Sequence, residues 1–140
     1  MKIINEQYVF VIALLVLIVS CDGHRKAESG NPGITLEEYY RLIQNEDYPE
    51  AAKMFSNRGH KLTDEESAKM EKRIKRITEN HKRKHGIREV IIIEETLIGD
   101  HRTAFVKYNI VYNNGEEDDI KQAFEKIDEK WYLKIVTPYK

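Results

Sequence analysis

The chain has 140 residues, enough for one domain with one modest core. Its formal net charge of -1 gives no overall field that would favour nucleic acid, and its one cysteine excludes an intramolecular disulfide framework. No Cys-x-x-Cys or His/Cys cluster suggests structural zinc, and no motif calls for a cofactor.

Val9–Val19 reads VFVIALLVLIV, eleven apolar residues without a break. A transmembrane helix needs roughly 20. Eleven fits the apolar region of a secretion signal instead. Lys2 supplies the positive end, partly offset by Glu6. The run stops at Ile18-Val19-Ser20-Cys21. This resembles the lipobox of bacterial lipoproteins: two aliphatic residues, a small one, then cysteine. The resemblance implies cleavage after Ser20, diacylglycerol on the Cys21 sulfur and acylation of the new amino group. Only a thiolate can accept the lipid, and a small residue before it admits the peptidase. Two or three acyl chains at ~0.8 kcal/mol per buried CH₂ would hold far more firmly than one myristoyl chain. Residues 1–20 are therefore expected to be a lipoprotein signal peptide, and the mature protein to be anchored in the cell envelope. In enteric bacteria Asp22 would resemble an inner-membrane retention signal. Other phyla follow other rules, so the choice of membrane stays open.

Residues 21–34 are expected to be the lipidated cysteine and a linker. Asp22–Gly33 is polar, carries three glycines and a proline, and has no apolar residue larger than alanine. Thr35-x-x-Glu38 has capping-box spacing, which predicts that a helix opens there. Leu36, Tyr39, Tyr40 and Ile43 make its apolar face. Asn45-Glu46-Asp47 breaks it, and a second short helix is predicted over Tyr48–Phe55, with Pro49 in its first turn. Asn57-Arg58-Gly59 reads as a loop. Thr63-x-x-Glu66 is a second capping box, opening a long helix to about His85. Its apolar stripe is thin: Met70, Ile74 and Ile77, with His81 one turn on. Gly86 is a natural stop.

The period then changes. Ile87–Ile98 is rich in β-branched residues, and Thr103–Tyr112 alternates with Ala104, Val106, Tyr108, Ile110 and Tyr112 on one face. Gly99-Asp100 and Asn113-Asn114-Gly115 read as turns. Further strands are expected over Asp119–Ile127 and Trp131–Val136. Three helices followed by an antiparallel meander of about four strands indicate an α+β domain over residues 35–140.

Asn45–Phe55, N-E-D-Y-P-E-A-A-K-M-F, resembles the helical hairpin of small lipoproteins with a nuclear-transport-factor-2-like (cystatin-like, lumazine-binding-like) domain. The later elements match in order: a charged helix, a strand, Gly99-Asp100 before T-A-F-V-K-Y at Thr103–Tyr108, an Asn-Gly turn, then K-W-Y-L-K-I at Lys130–Ile135. The resemblance spans about Leu36–Val136. It implies a curved sheet wrapped around the long helix as a cone. The fold hosts many functions, so it assigns none.

A cone-pocket enzyme would need an inward carboxylate or histidine as acid or base. Tyr39, Tyr40, Tyr108 and Tyr112 are the candidate pocket-lining residues, although aromatics at such spacing read first as core. His81 reads as a half-exposed residue near a helix end, and no inward Asp/His pair is found. His81 and His85 have ligand spacing but no third ligand in reach, so no metal site is expected. Lys69–Arg88 holds nine Lys/Arg against Glu71 and Glu79, whereas Glu116–Asp119 is four acids in a row. The basic run reads first as a solvated helix face. Otherwise Lys72, Arg73, Lys75, Arg76, Lys82, Arg83 and Lys84 would meet anionic headgroups, at about 1 kcal/mol per nearby cation, or an acidic partner. The leading expectation is a non-catalytic, membrane-tethered domain binding a small apolar ligand or an envelope protein. The alternatives are a cone-pocket isomerase or hydratase and an inhibitor- or immunity-like lipoprotein.

Overall fold

A computed structural model of the protein describes residues 30–136. The expected signal peptide, cleavage site at Ser20 and lipidated Cys21 lie outside the described residues. Within them, no helix is long and apolar enough to cross a membrane.

Helix α1, Pro32–Gln44, begins three residues before the expected Thr35. Asn31 is the cap: its backbone is extended and its side-chain oxygen accepts from the Gly33 N–H at 2.7 Å. Pro32 follows in the first turn, where its missing N–H costs nothing. Thr35 is inside the helix, its hydroxyl donating back to the Asn31 carbonyl at 3.4 Å. The last residues assigned to the linker are thus part of the domain, and Pro32 and Gly33 are buried. A β-carbon at Gly33 would meet the Glu95 carboxylate and the tip of Ile92, so a larger residue would have to displace both side chains for the helix to keep this close approach to the sheet.

Helix α2, Tyr48–Lys53, is capped by Asp47 and is shorter than expected. Phe55 leaves it to start strand β1, Phe55–Asn57, which forms a hairpin with β2, His60–Lys61. The predicted loop at Asn57-Arg58-Gly59 is the turn of that hairpin, with Arg58 and Gly59 both at positive φ. Helix α3, Asp64–Arg83, has both arms of its capping box: Glu66 N–H donates to Thr63 Oγ1 at 3.3 Å and Thr63 N–H to Glu66 Oε2 at 2.9 Å. It ends where His85 and Gly86 take positive φ and the Gly86 N–H returns to the His81 carbonyl at 2.9 Å.

Strands β3 (Ile87–Ile98), β4 (Thr103–Tyr112), β5 (Glu117–Ile127) and β6 (Lys130–Lys134) form the meander. The sheet has six strands among the described residues rather than four, in the order β2-β1-β6-β5-β4-β3. β1 joins β6 in parallel, and the other neighbours are antiparallel. Two register shifts in β3, between Ile87 and Glu89 and between Ile92 and Glu94, bend that strand, as bulges do. The sheet curves without closing.

The alternating residues Ala104, Val106, Tyr108, Ile110 and Tyr112 are all buried, as expected. They meet Leu36, Tyr39, Tyr40 and Ile43 of α1, with Phe124, Trp131 and Leu133 completing the concave face. Ala51 and Ala52 are small enough to let α2 pack tightly. The C-terminal end of α3 is tied to the β4–β5 turn, where Asn113 Nδ2 donates to the His85 carbonyl at 2.8 Å. Helix α3 therefore has α2 near its start and a turn at its end; Met70 and Ile74 of its middle are buried in the core, and a gap remains beside them against the sheet.

Candidate functional site

The gap under α3 is a cavity of about 310 Å³, near the lower end of the range for small-molecule sites. Met70, Arg73, Ile74, Ile77 and His81 form its roof, one side of α3 at helical spacing. Tyr39, Tyr40 and Phe55 close one wall. The floor comes from β4, β5 and β6. Register pairs Val106 with Gln122 and Tyr108 with Ile120, which turns Gln122 and Ile120 inward beside Leu133. Lys121 and Lys134 also border the cavity, but alternation turns their ammonium groups to the convex face, where they approach the Phe105 ring (4.5 Å) and Glu125 (3.9 Å).

The tyrosines form an aromatic chain. Tyr39 stands edge-on to Tyr40 (5.1 Å between centroids) and to Phe55 (5.3 Å). The Tyr40 and Tyr108 hydroxyls share a hydrogen bond of 2.9 Å. Burial pushes all three phenols above their ordinary pKa, so they stay protonated at neutral pH. The charge of Arg73, which lines the same cavity, partly opposes that rise at Tyr39.

His81 corrects the sequence reading. It is buried rather than half-exposed, 8% accessible, and its Nδ1 has no hydrogen-bond partner among the described residues. Burial lowers its pKa, with Asp118 opposing and Lys84 adding to the shift. A neutral imidazole is the consequence. On its far side lies a more open depression with Tyr112, Lys84 and Asp118. There Lys84 Nζ donates to both Asp118 oxygens at 2.9 Å, and the Tyr112 hydroxyl donates to Oδ2 at 2.8 Å. These contacts hold the Asp118 carboxyl below its usual range.

Of the four candidate tyrosines, Tyr39, Tyr40 and Tyr108 line the cavity, and Tyr112 lines the neighbouring depression. The seven basic residues do not share one role. Lys75 pairs with Glu71 (2.6 Å), Lys82 with Glu46 (2.9 Å) and Lys84 with Asp118. Lys72, Arg73, Arg76 and Arg83 are exposed, and of these four Arg73 alone borders the cavity, at its rim. Ile120, Gln122 and Leu133 were missing from the sequence-based candidates. The alternation signal was present in them, but only register against β4 tells which alternate set points inward. Among the described residues no group of three or more His, Cys, Asp or Glu could hold a metal ion.

A Campylobacter jejuni structure, described as a candidate NTF2-like (nuclear-transport-factor-2-like) transpeptidase, superposes with a TM-score of 0.62 at 20% identity. The match covers 76% of this chain and 100% of that one. The fold is NTF2-like. A de novo designed protein with a curved β-sheet aligns more loosely, with a TM-score of 0.44 at 14% identity over 74% of this chain and 93% of its own. No family model and no curated protein matches the sequence. In this NTF2-like domain the cavity lies between the long helix and the concave face of the sheet.

Proposed function

We propose that the chain is a lipid-anchored domain of the bacterial cell envelope that binds a small, mainly apolar ligand in its cone without transforming it. The cavity under α3 carries this reading: it is walled by Phe55, Met70, Ile74, Ile77, Ile120 and Leu133, with a few tyrosine hydroxyls. Neutral tyrosines and a neutral buried histidine suit recognition through hydrogen bonds and apolar contact. The non-catalytic part of the reading is supported by the carboxylates. Among the described residues none lines the cavity, and Lys84 and Tyr112 already occupy Asp118, the acid whose charge acts on His81. A general acid–base pair needs both members within reach of one substrate.

Binding is tested with N-phenyl-1-naphthylamine, a neutral aromatic probe that fluoresces in apolar surroundings. The expected result is enhancement with the folded protein, abolished when Ile77→Trp fills the cavity from the helix or Ile120→Trp fills it from the sheet. Absence of binding, or binding unaffected by both substitutions in folded protein, refutes the reading. The anchor is tested by Cys21→Ser, which should release the protein from membranes or leave it unprocessed. Normal cleavage with unchanged membrane association refutes that part.

A further inference from the structure

We propose that the ligand of this cavity is an amphiphile with one anionic head, and that Arg73 and Tyr39 receive the head. The inference rests on the ligand-binding reading of the same cavity and adds the chemical class. Five lining side chains of α3 run from Met70 to His81, and the only one with a full charge is Arg73. Lys121 and Lys134 border the cavity, but their ammonium groups lie against Phe105 and Glu125 on the other side of the sheet. No aspartate or glutamate is among the lining residues. Among the described residues, the single charge turned to the cavity is therefore positive.

Arg73 is also uncommitted. Lys69, Lys75 and Lys82 of α3 are paired with Glu65, Glu71 and Glu46, and Lys84 just past its end with Asp118, whereas Lys72, Arg76 and Arg83 are unpaired among the described residues but do not line this cavity. Arg73 has no carboxylate at ion-pair distance among the described residues. A guanidinium presents two parallel N–H donors that match the oxygens of a carboxylate, sulfonate or phosphate. Tyr39 lines the same cavity and adds a donor. Tyr40 and Tyr108 commit their hydroxyls to each other, whereas the Tyr39 hydroxyl has no such partner among the described residues and lies within the field of Arg73.

The polar groups sit at one end of an apolar trough. At 1.5 Å per residue, Arg73 and His81 are about 12 Å apart along the helix. Ile74 and Ile77 lie between them, facing Ile120 and Leu133. An apolar body would occupy that length while its head stayed at Arg73. A head at the His81 end would meet a neutral ring, and beyond it a Lys84 ammonium already held by Asp118.

The test compares two probes of nearly the same aromatic body: N-phenyl-1-naphthylamine, which is neutral, and 1-anilinonaphthalene-8-sulfonate, which carries a sulfonate. The folded protein should bind the sulfonate about tenfold more tightly. Arg73→Gln should remove that preference and leave the neutral probe unchanged. Lys72→Gln, on the exposed side of the same helix, should change neither. Equal affinity for the two probes, or equal losses from Arg73→Gln and Lys72→Gln, overturns the anionic head while leaving the cavity reading intact. Failure of the neutral probe to bind strikes the cavity reading instead. Competition with decanoate and 1-naphthoate then distinguishes an alkyl from an aromatic body. Displacement by either supports the class, and displacement of the sulfonate by neither overturns it.

Discussion

Replacing Tyr40 with Phe removes one of two hydroxyls that meet at 2.9 Å between α1 and β4. Both residues are nearly inaccessible, Tyr40 at 6% and Tyr108 at 3%. The Tyr108 hydroxyl would lose its partner where water reaches it poorly, which costs about 1–2 kcal/mol once the lost bond and the unmet polar group are combined. Tyr108→Phe should cost about the same for the same reason. The double variant removes both hydroxyls and leaves nothing unsatisfied, so it should cost no more than either single change. That non-additivity, about 1–2 kcal/mol, is the signature of a direct pair. Urea unfolding of the four proteins at 25 °C measures it, provided the slopes of the transitions agree. If the double variant loses the sum of the two single losses, the hydroxyls do not support each other and the geometry assigned to the aromatic wall is wrong.

Acid stability should report on His81. Its folded pKa lies below the ordinary value of 6.5, so the unfolded chain binds the proton more readily. The stability it contributes is present above 6.5 and falls as pH drops from there through the folded value; His81→Leu should flatten the stability profile in that window, and an unchanged slope would mean the ring is solvated. Thr63→Ala removes one arm of the α3 capping box and should cost about 1 kcal/mol. In the same variant the Glu66 carboxyl, held at about 2 chiefly by its hydrogen bond from the Thr63 N–H, should move toward its ordinary value of 4.5 if the box opens, which a carboxyl titration by NMR would detect.

Much of this domain was legible because its signals are local. The α3 capping box needs only Thr63, Glu66 and the backbone between them, so it can be read from spacing. The alternation of Thr103–Tyr112 likewise states which side chains share a face. The start of α1 was misread because two local devices compete within five residues. Asn31, backed by Pro32, won over Thr35 because adding a turn buries Pro32 and Gly33 against β3. That contact is with residues some sixty positions away, and no spacing rule contains it.

Strand β1 shows the same limit. Phe55-Ser56-Asn57 has no periodicity of its own and becomes a strand only because β6 offers an edge: the Leu133 N–H donates to the Met54 carbonyl and the Ile135 N–H to that of Ser56, both at 2.9 Å. By itself, then, the sequence determined the order of helices and strands, the caps of α3, and the apolar faces that had to be covered. Tertiary structure decided how α3 lies against the sheet, and with it the burial of His81 and the place of Arg73 at the cavity rim. Helical period placed Arg73 and Lys72 side by side as equal members of a basic run. Only the packing of two layers, set by contacts remote in the chain, put one of these exposed residues at the rim of a cavity and the other away from it.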